Sequence, residues 1–239
     1  MKIIVKSKEE LDALILDQIK STVEEKPNAV FGLDPSADLI SVYEKLRDDI
    51  KNGSLSFDKA SLFTTCEYLN EDKTLAGMKH QFMNQHLLEG SGISSDQVYY
   101  PCGCSEDAEE LKKYDNQIEA AGGMDLLFLG IGKNGSIGFN EPATPFDTYT
   151  HSQLLTDKTK AMVADDFGGQ ENVPEKGVTM GIKTMMAAKS VALIATGEDK
   201  ADIIHKVVYG KTVTFVPASM LQIHMNMVLY LDEAAAADI

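Results

Sequence analysis

Hydrophobic residues lie in five short, unbroken runs along the chain, without alternation of apolar and polar side chains. Unbroken runs are typical of strands that are buried on both faces, as in a parallel sheet. The predicted strands cover residues 28–33, 60–65, 124–131, 190–196 and 227–232. The pattern therefore predicts a buried, mainly parallel sheet.

Between these strands, apolar residues recur at the spacing of an amphipathic helix. The predicted helices cover residues 7–25, 37–53, 105–123 and 197–210, and serine-led capping signatures start the first and the third. Alternating strands and helices are joined by right-handed crossovers, which predicts an α/β fold with a doubly wound sheet. Because the sequence contains no internal repeat, low-complexity tract or linker, we expect one domain spanning residues 1–239.

The chain carries 37 acidic and 22 basic residues, a formal net charge of −15. A surface this anionic repels nucleic acid and acidic membranes, so neither is an expected partner. No apolar stretch reaches the length of a membrane span, and the N-terminus lacks the apolar core of a signal peptide. We therefore expect a cytoplasmic protein.

Three cysteines, Cys66, Cys102 and Cys104, are an odd number without the spacing of a disulfide framework, which is typical of a reducing compartment. Cys102 and Cys104 would form half of a metal-ligand set, but no second cysteine or histidine pair completes it. We interpret residues 101–110 as an ordinary loop that enters a helix, and we expect no metal.

In a doubly wound sheet, ligands bind beyond the carboxyl ends of the strands, where loops lead into helices. The candidate loops follow Leu33, Thr65, Ile131 and Thr196.

One of these loops lies in the stretch LGIGKNGSIGFNEP, residues 129–142. Its Gly130, Gly132 and Gly135 have the Gly-x-Gly-x-x-Gly spacing of a dinucleotide site. However, no helix is predicted after the third glycine, and no acidic ribose partner follows at the usual distance. We expect neither NAD nor any other cofactor.

The same stretch resembles the signature of the glucosamine-6-phosphate deaminase family, usually Gly-[Asp/Asn]-Gly-His-Ile-[Ala/Gly]-Phe-Asn-Glu-Pro. That family includes galactosamine-6-phosphate isomerases and is related to 6-phosphogluconolactonase. Further segments in the family's order are NAVFGL, FTTCEYL, VPEKGVTMGIKTMMAAKSVALIATGEDKA and VPASMLQIH, so the resemblance covers nearly the whole chain. It implies a Rossmann-like, three-layer α/β sandwich and a small-molecule partner, a sugar or sugar phosphate. Self-association into a homo-oligomer is compatible with it.

The family's chemistry opens an amino-sugar phosphate ring and moves a proton between C1 and C2, and its deaminases release ammonia. Such chemistry needs a phosphate cradle, a carboxylate base and a ring-opening histidine. This chain departs from the family at all three.

In place of the family's Thr-Gly-Ser-Thr-Pro-like phosphate loop, this chain has GLDPSADLI, which puts Asp34, Ser36 and Asp38 at the ligand-binding positions. A carboxylate about 5 Å from a phosphate charge costs roughly 3 kcal/mol per unit charge at an effective dielectric constant near 20. Tight phosphate binding is therefore not expected. The alternative interpretation is structural, with Asp34 or Ser36 capping the helix at 37–53.

The resemblance places Cys66 at the position of the aspartate base, beside the retained Glu67, and Ser136 at the position of the histidine. An ordinary thiol is mostly protonated at neutral pH, so Cys66 either shuttles protons after activation or fills a half-buried position. A serine hydroxyl does not exchange protons unaided. Asn134 agrees with the family signature, which has aspartate or asparagine at this position. Glu141 is retained. Because there is no histidine for it to orient, we expect its carboxylate to bond neighbouring backbone N–H groups.

At two further family positions, Asp166 replaces a phosphate-binding arginine and Lys200 is retained. Lys200 either holds an anion or is solvated in the first turn of an exposed helix. Gly132 and Gly135 are candidate ligand-binding residues, because glycine lets the backbone approach a ligand or adopt positive φ. His224 also matches a family position and is interpreted as structural.

These observations predict a member of the family in amino-sugar metabolism whose catalytic and phosphate-binding residues are substituted. A scaffold kept while its site is rewritten indicates a different, neutral or cationic ligand, or a non-catalytic binding, regulatory or assembly role. The alternative is an active sugar-phosphate isomerase or lactonase-like hydrolase that uses Cys66, Glu67 and Glu141 in new roles.

Overall fold

The computed structural model describes residues 1–69 and 77–239, in which helices cover both faces of a seven-stranded sheet. The strands are β1 (Lys2–Val5), β2 (Val30–Leu33), β3 (Ser61–Thr64), β4 (Cys66–Tyr68), β5 (Val98–Tyr99), β6 (Leu126–Gly130), β7 (His151–Leu154), β8 (Lys176–Thr179), β9 (Val191–Ala195) and β10 (Met227–Leu231). The α-helices are α1 (Lys8–Glu25), α2 (Ile40–Lys51), α3 (Met78–Met83), α4 (Ala108–Ala120), α5 (Asp157–Met162), α6 (Ile182–Met186) and α7 (Ala201–Tyr209).

The main sheet has the strand order β1-β10-β9-β6-β2-β3-β5, and every neighbouring pair is parallel. All five predicted strands belong to it, and each lies within its predicted range, so the fold class is confirmed. Every residue of β2, β6 and β9 is buried, because these central strands have helices on both sides. The sequence pattern missed β1, whose residues are largely exposed, and β5, which has two residues.

Two apolar clusters fill the space between the sheet and its helices. One packs α1, α2 and α3 on one face, and the other packs α4, α6 and α7 on the opposite face. The predicted capping box of α1 is present, with Ser7 and Glu10 as its members. Helix α4 starts later than predicted from Ser105, because the carboxylate of Asp107 accepts from the first free N–H groups.

A second, three-stranded antiparallel sheet in the order β4-β8-β7 stands at the carboxyl end of β3. Strand β4 begins two residues after β3 ends, and Cys66 is paired with Thr179 of β8. The short strands of this sheet were not predicted from the sequence. They hold Cys66 and Glu67 at the edge of the main sheet where ligands are expected.

Cys102 and Cys104 form a disulfide, with their Cα atoms 5.2 Å apart, and Cys66 remains a buried free thiol. The interpretation of residues 101–110 as a loop that enters a helix is confirmed, since this segment connects β5 to α4. The expectation that the cysteines form no disulfide, as is typical of a reducing compartment, was wrong for Cys102 and Cys104. With only Gly103 between them, the two cysteines come within the ordinary Cα separation of disulfides.

Within residues 1–69 and 77–239, no three His, Cys, Asp or Glu side chains are grouped to hold a metal ion. In the same ranges, none of the helices combines the length and the apolar character needed to cross a membrane.

Candidate functional site

A cavity of about 360 Å³ opens at the carboxyl ends of β2 and β6 and beside β4. Seven of the predicted site residues line it: Asp34, Ser36, Cys66, Gly132, Ser136, Asp166 and Lys200. Five others are not among its lining residues: Asp38, Glu67, Asn134, Gly135 and Glu141. The parallel-sheet rule thus located the cavity, while the side chains of the second group have other partners.

Asp34 is buried directly after β2 and accepts two hydrogen bonds, one from the hydroxyl of Thr65 and one from the backbone N–H of Gly130 at 2.9 Å. Burial raises the pKa of the Asp34 carboxyl, although the two hydrogen bonds act in the opposite direction. The prediction that Asp34 or Ser36 caps the following helix was wrong, because the Ser36 side chain makes no capping bond. The buried donors of Thr65 and Gly130 need an acceptor, and Asp34 supplies it.

Asp38 and Lys200 stand on the far side of the same loop. The Asp38 carboxylate accepts from the hydroxyl of Thr196 at 2.5 Å and lies 3.9 Å from Lys200 Nζ. Lys200 Nζ also donates to the carbonyl of Ile131, and its side chain is only 15% exposed. The interpretation of Lys200 as a solvated surface lysine was therefore wrong.

Cys66 faces the cavity but is 3% exposed, so it is more deeply buried than the half-buried position expected. Its Sγ lies 3.7 Å from the hydroxyl of Thr65, the group that also donates to Asp34. Burial, and then the charge of Asp34, raise the pKa of the Cys66 thiol to about 12. The thiol therefore stays protonated near neutral pH.

The Glu67 carboxylate is turned toward the start of α3. It accepts from the backbone N–H groups of Lys79 at 3.1 Å, His80 at 2.9 Å and Tyr68 at 2.7 Å. The bonds from Lys79 and His80 satisfy donors that the N-terminus of α3 leaves free. They are the bonds of a capping residue.

Ser136 lies in a tight turn whose Gly135 adopts a φ of +86°. The Ser136 N–H donates to Asn134 Oδ1 at 3.1 Å, and a side chain on Gly132 would collide with the Ser136 hydroxyl. The positive φ favours glycine at position 135, and a side chain at position 132 would require the side chains of Ser136 and Asn134 to move. The turn presents a serine hydroxyl to the cavity.

Glu141 lies behind this turn. Its carboxylate accepts from Asn134 Nδ2 at 2.9 Å and, at 3.4 Å each, from the backbone N–H and the hydroxyl of Thr156. The expectation that Glu141 bonds neighbouring backbone is confirmed for Thr156. His224 is buried, with Nε2 2.9 Å from the carbonyl of Ala188, as a structural histidine should be.

The sequence analysis missed Lys79, on α3, which lines the cavity. Its Nζ donates to the carbonyl of Pro35 at 3.0 Å and lies 5.7 Å from the ring centre of Tyr68. Nothing in the local sequence marks this lysine, because its partners lie in distant segments. Asp166, which was predicted, is exposed at the cavity rim in a short 3-10 helix, Ala164–Phe167.

Comparison with known proteins identifies the class to which this fold and site belong. The sequence pattern described as "Glucosamine-6-phosphate isomerases/6-phosphogluconolactonase" matches residues 6–230. The chain belongs to this family.

Among relatives, the chain is 36% identical over 239 residues to a glucosamine-6-phosphate deaminase of Thermoanaerobacter sp. (strain X514), covering 99% of this chain and 94% of that protein. It is 38% identical over 236 residues to the deaminase of Shewanella woodyi, covering 98% of this chain and 89% of that protein. Among solved structures it is similar to a monomeric glucosamine-6-phosphate deaminase, with a TM-score of 0.93, 31% identity and full coverage of both chains. It shares its fold with the 6-phosphogluconolactonase of Thermotoga maritima, with a TM-score of 0.73 and 18% identity, covering 97% of this chain and 99% of that one.

Proposed function

We propose that this protein binds a sugar in the cavity but does not deaminate glucosamine 6-phosphate. One observation carries the proposal. The two groups that face the cavity at the family's acid and base positions are the Cys66 thiol, whose pKa is raised to about 12, and the Ser136 hydroxyl. Neither group exchanges a proton readily near neutral pH, and proton transfer is the family's chemistry.

The phosphate loop supports the same proposal. The Asp34 carboxylate accepts the hydrogen bond from the backbone N–H of Gly130, at the strand end where an anionic ligand would need donors. A ligand phosphate in this loop would also meet the carboxylate of Asp34, which lines the cavity, at a cost of roughly 3 kcal/mol per unit charge at about 5 Å. The loop therefore suits a ligand without a phosphate at this position.

The cavity keeps the features of a small-molecule site. Its volume of about 360 Å³ lies in the range of ligand pockets, and it combines aromatic side chains, Tyr68 and Phe139, with hydroxyls from Ser36 and Ser136. Rings against sugar faces and hydroxyls against sugar hydroxyls suit a monosaccharide. We further propose that the 239 residues act as one domain in the cytoplasm.

The alternative of an isomerase or hydrolase that uses Cys66, Glu67 and Glu141 has less support. The carboxylates of Glu67 and Glu141 accept hydrogen bonds from backbone and side-chain donors, and neither residue lines the cavity. This alternative would require both carboxylates to leave their partners during the reaction.

Two measurements test the proposal. A coupled ammonia assay with glucosamine 6-phosphate should give background release, with the Thermoanaerobacter relative as the positive control; a kcat within roughly 1 to 10³ s⁻¹ would overturn the proposal. Thermal unfolding should then be followed with glucose, glucosamine and the two amino-sugar phosphates. A sugar that binds the folded state raises the melting temperature, whereas no shift with any of them would remove the sugar-binding half of the proposal.

A further inference from the structure

Lys79 differs from the other lysines of the cavity in its partners. Lys133 pairs with Asp199 at 2.7 Å, and Lys200 lies 3.9 Å from Asp38. Within the part of the chain that the structure describes, Lys79 has no carboxylate partner. Its Nζ meets a backbone carbonyl and two aromatic rings.

The surroundings of Lys79 fix the position of its ammonium group. The bond to the Pro35 carbonyl uses one of three N–H donors, and the rings of Tyr68 and Phe82 lie 5.7 and 5.9 Å from Nζ. Rings at this distance stabilise a cation without neutralising it. Among the described residues nothing else occupies the other two donors, so these and the positive charge are available to a ligand.

Lys79 also stands where two cavities meet. It lines the 360 Å³ cavity described above and a neighbouring cavity of about 400 Å³, and Tyr68, Phe82 and Asp166 line both as well. A ligand that fills the first cavity can therefore reach the ammonium from the side of α3. Lys200 is held elsewhere in the cavity, because its Nζ donates to the carbonyl of Ile131 and lies 3.9 Å from Asp38.

The charges around Lys79 discriminate between kinds of anion. Within residues 1–69 and 77–239 no carboxylate lies within ion-pair distance of the Lys79 ammonium, whose charge acts on the buried Asp34 at longer range. A ligand with one negative charge can approach this ammonium, whereas Asp34 and Asp166, which line the same cavity, repel each further charge. A phosphate close to a dianion is therefore disfavoured, and a single carboxylate is accommodated. Carboxylate oxygens of Asp34 and Asp166 can in turn accept from the hydroxyls of the same ligand.

We propose that Lys79 binds the carboxylate of an acidic monosaccharide, a uronate, at the boundary of the two cavities. The inference rests on the proposed sugar-binding function and names its ligand class. It also explains why a cation stands on α3 while Asp166 occupies the position where the family resemblance expects one.

The test is calorimetric titration of the whole protein with glucuronate, glucose, glucosamine 6-phosphate and inorganic phosphate. Glucuronate should bind at least about tenfold more tightly than glucose, as a charge-assisted hydrogen bond permits. Lys79→Met should abolish that difference and leave glucose within about twofold. The matched control is Lys206→Met, which removes a lysine paired with Asp202 at 2.6 Å outside both cavities and should leave both sugars unchanged. Raising the salt concentration should weaken glucuronate binding to the unmodified protein and leave glucose binding unaffected.

Each outcome decides a separate question. If neither glucose nor glucuronate binds, the role of Lys79 is refuted, and the proposed sugar-binding function fails as well if thermal unfolding shows no shift with any of its sugars. If both bind equally, or if Lys79→Met retains the preference for glucuronate, sugar binding stands and the role of Lys79 is refuted. Lys79-dependent binding of glucosamine 6-phosphate that is tighter than that of glucuronate would overturn the ligand class. Lys79→Gln serves as a second neutral variant should Lys79→Met fail to fold, and the salt dependence decides the role of the charge without any variant.

Discussion

The carboxylate of Asp34 accepts a 2.9 Å hydrogen bond from the backbone N–H of Gly130, which lies 96 residues further along the chain. The same carboxylate accepts from Thr65, so one side chain joins the ends of β2, β3 and β6. A backbone donor at the centre of the ligand-binding edge is thereby satisfied from within the protein. This N–H is therefore not available to a ligand at the place where the family resemblance implies a bound phosphate.

The buried Asp34 carboxyl should make the stability of the protein depend on pH in a characteristic direction. Burial raises its folded-state pKa above the ordinary value of 3.8, so the folded state binds the proton more tightly than the unfolded chain does. Stability is therefore lost as pH rises from the unfolded pKa through the folded pKa, and the loss is complete above the latter. Asp34→Asn keeps an acceptor oxygen and removes the charge. The free energy of unfolding of this variant, relative to the unmodified protein, should increase from about pH 3 to neutrality.

Urea denaturation of both proteins across this pH range measures the difference, and comparing the two cancels the titration of all other groups. Parallel curves would show that the Asp34 pKa is not raised. A difference that decreases with pH would show that the bonds from Thr65 and Gly130 outweigh burial.

The Cys66 thiol should resist alkylation in the folded protein. A thiol with a pKa of about 12 has a thiolate fraction of roughly 10⁻⁴ at pH 8, and Cys66 is also sterically buried. Without reductant, iodoacetamide should label no cysteine in the native protein and one in denaturant; after reduction and denaturation it should label all three cysteines. Mass spectrometry counts the labels, and Cys66→Ser should remove the single label of the unreduced, denatured protein. Rapid labelling of native Cys66 would restore it as a candidate nucleophile or base.

Glu67 should contribute to stability rather than to proton transfer. Glu67→Ala leaves three backbone N–H groups without their acceptor, two of them at the start of α3, and should lower the free energy of unfolding by about 1–3 kcal/mol. Because α3 carries Lys79, binding of glucuronate should weaken more than binding of glucose. The control is Glu106→Ala, whose exposed pair with Lys176 should be worth less than about 1 kcal/mol. Equal losses for the two variants would contradict a capping role for Glu67.

The five strands at residues 28–33, 60–65, 124–131, 190–196 and 227–232 could be predicted from the sequence, because a strand buried on both faces is an unbroken run of apolar residues. Their carboxyl ends then indicated the cavity, since parallel strands end at one edge of the sheet. The hydrogen-bond partners of polar side chains cannot be predicted in this way, because they lie in distant parts of the sequence. From the sequence, Asp34 is interpreted as a helix cap. In the structure its carboxylate instead accepts from two buried donors, Thr65 after β3 and Gly130 in β6. Lys79 was missed for the same reason, because its carbonyl partner lies 44 residues away.

Restoring the family's acid and base should not restore deamination. Cys66→Asp would place a second carboxyl beside Asp34, since both positions contact the hydroxyl of Thr65, and neighbouring carboxyls raise one another's pKa. Ser136→His must fit an imidazole where the serine hydroxyl already packs against Gly132, and Glu141 remains bonded to Asn134 and Thr156. The double variant should therefore give background ammonia release in the coupled assay.

Rebuilding residues 34–38 toward Thr-Gly-Ser-Thr-Pro in the same double variant should make ammonia release measurable, because the Gly130 N–H and the loop backbone then become available to phosphate. The loop change without the two restored groups is the control and should stay at background, since each missing acid or base typically costs about 10² to 10⁴ in rate. If the double variant alone turned over at roughly 1 to 10³ s⁻¹, the Asp34 carboxylate would not be what keeps phosphate out. In that case the losses at Cys66 and Ser136 would by themselves account for the proposed lack of deamination.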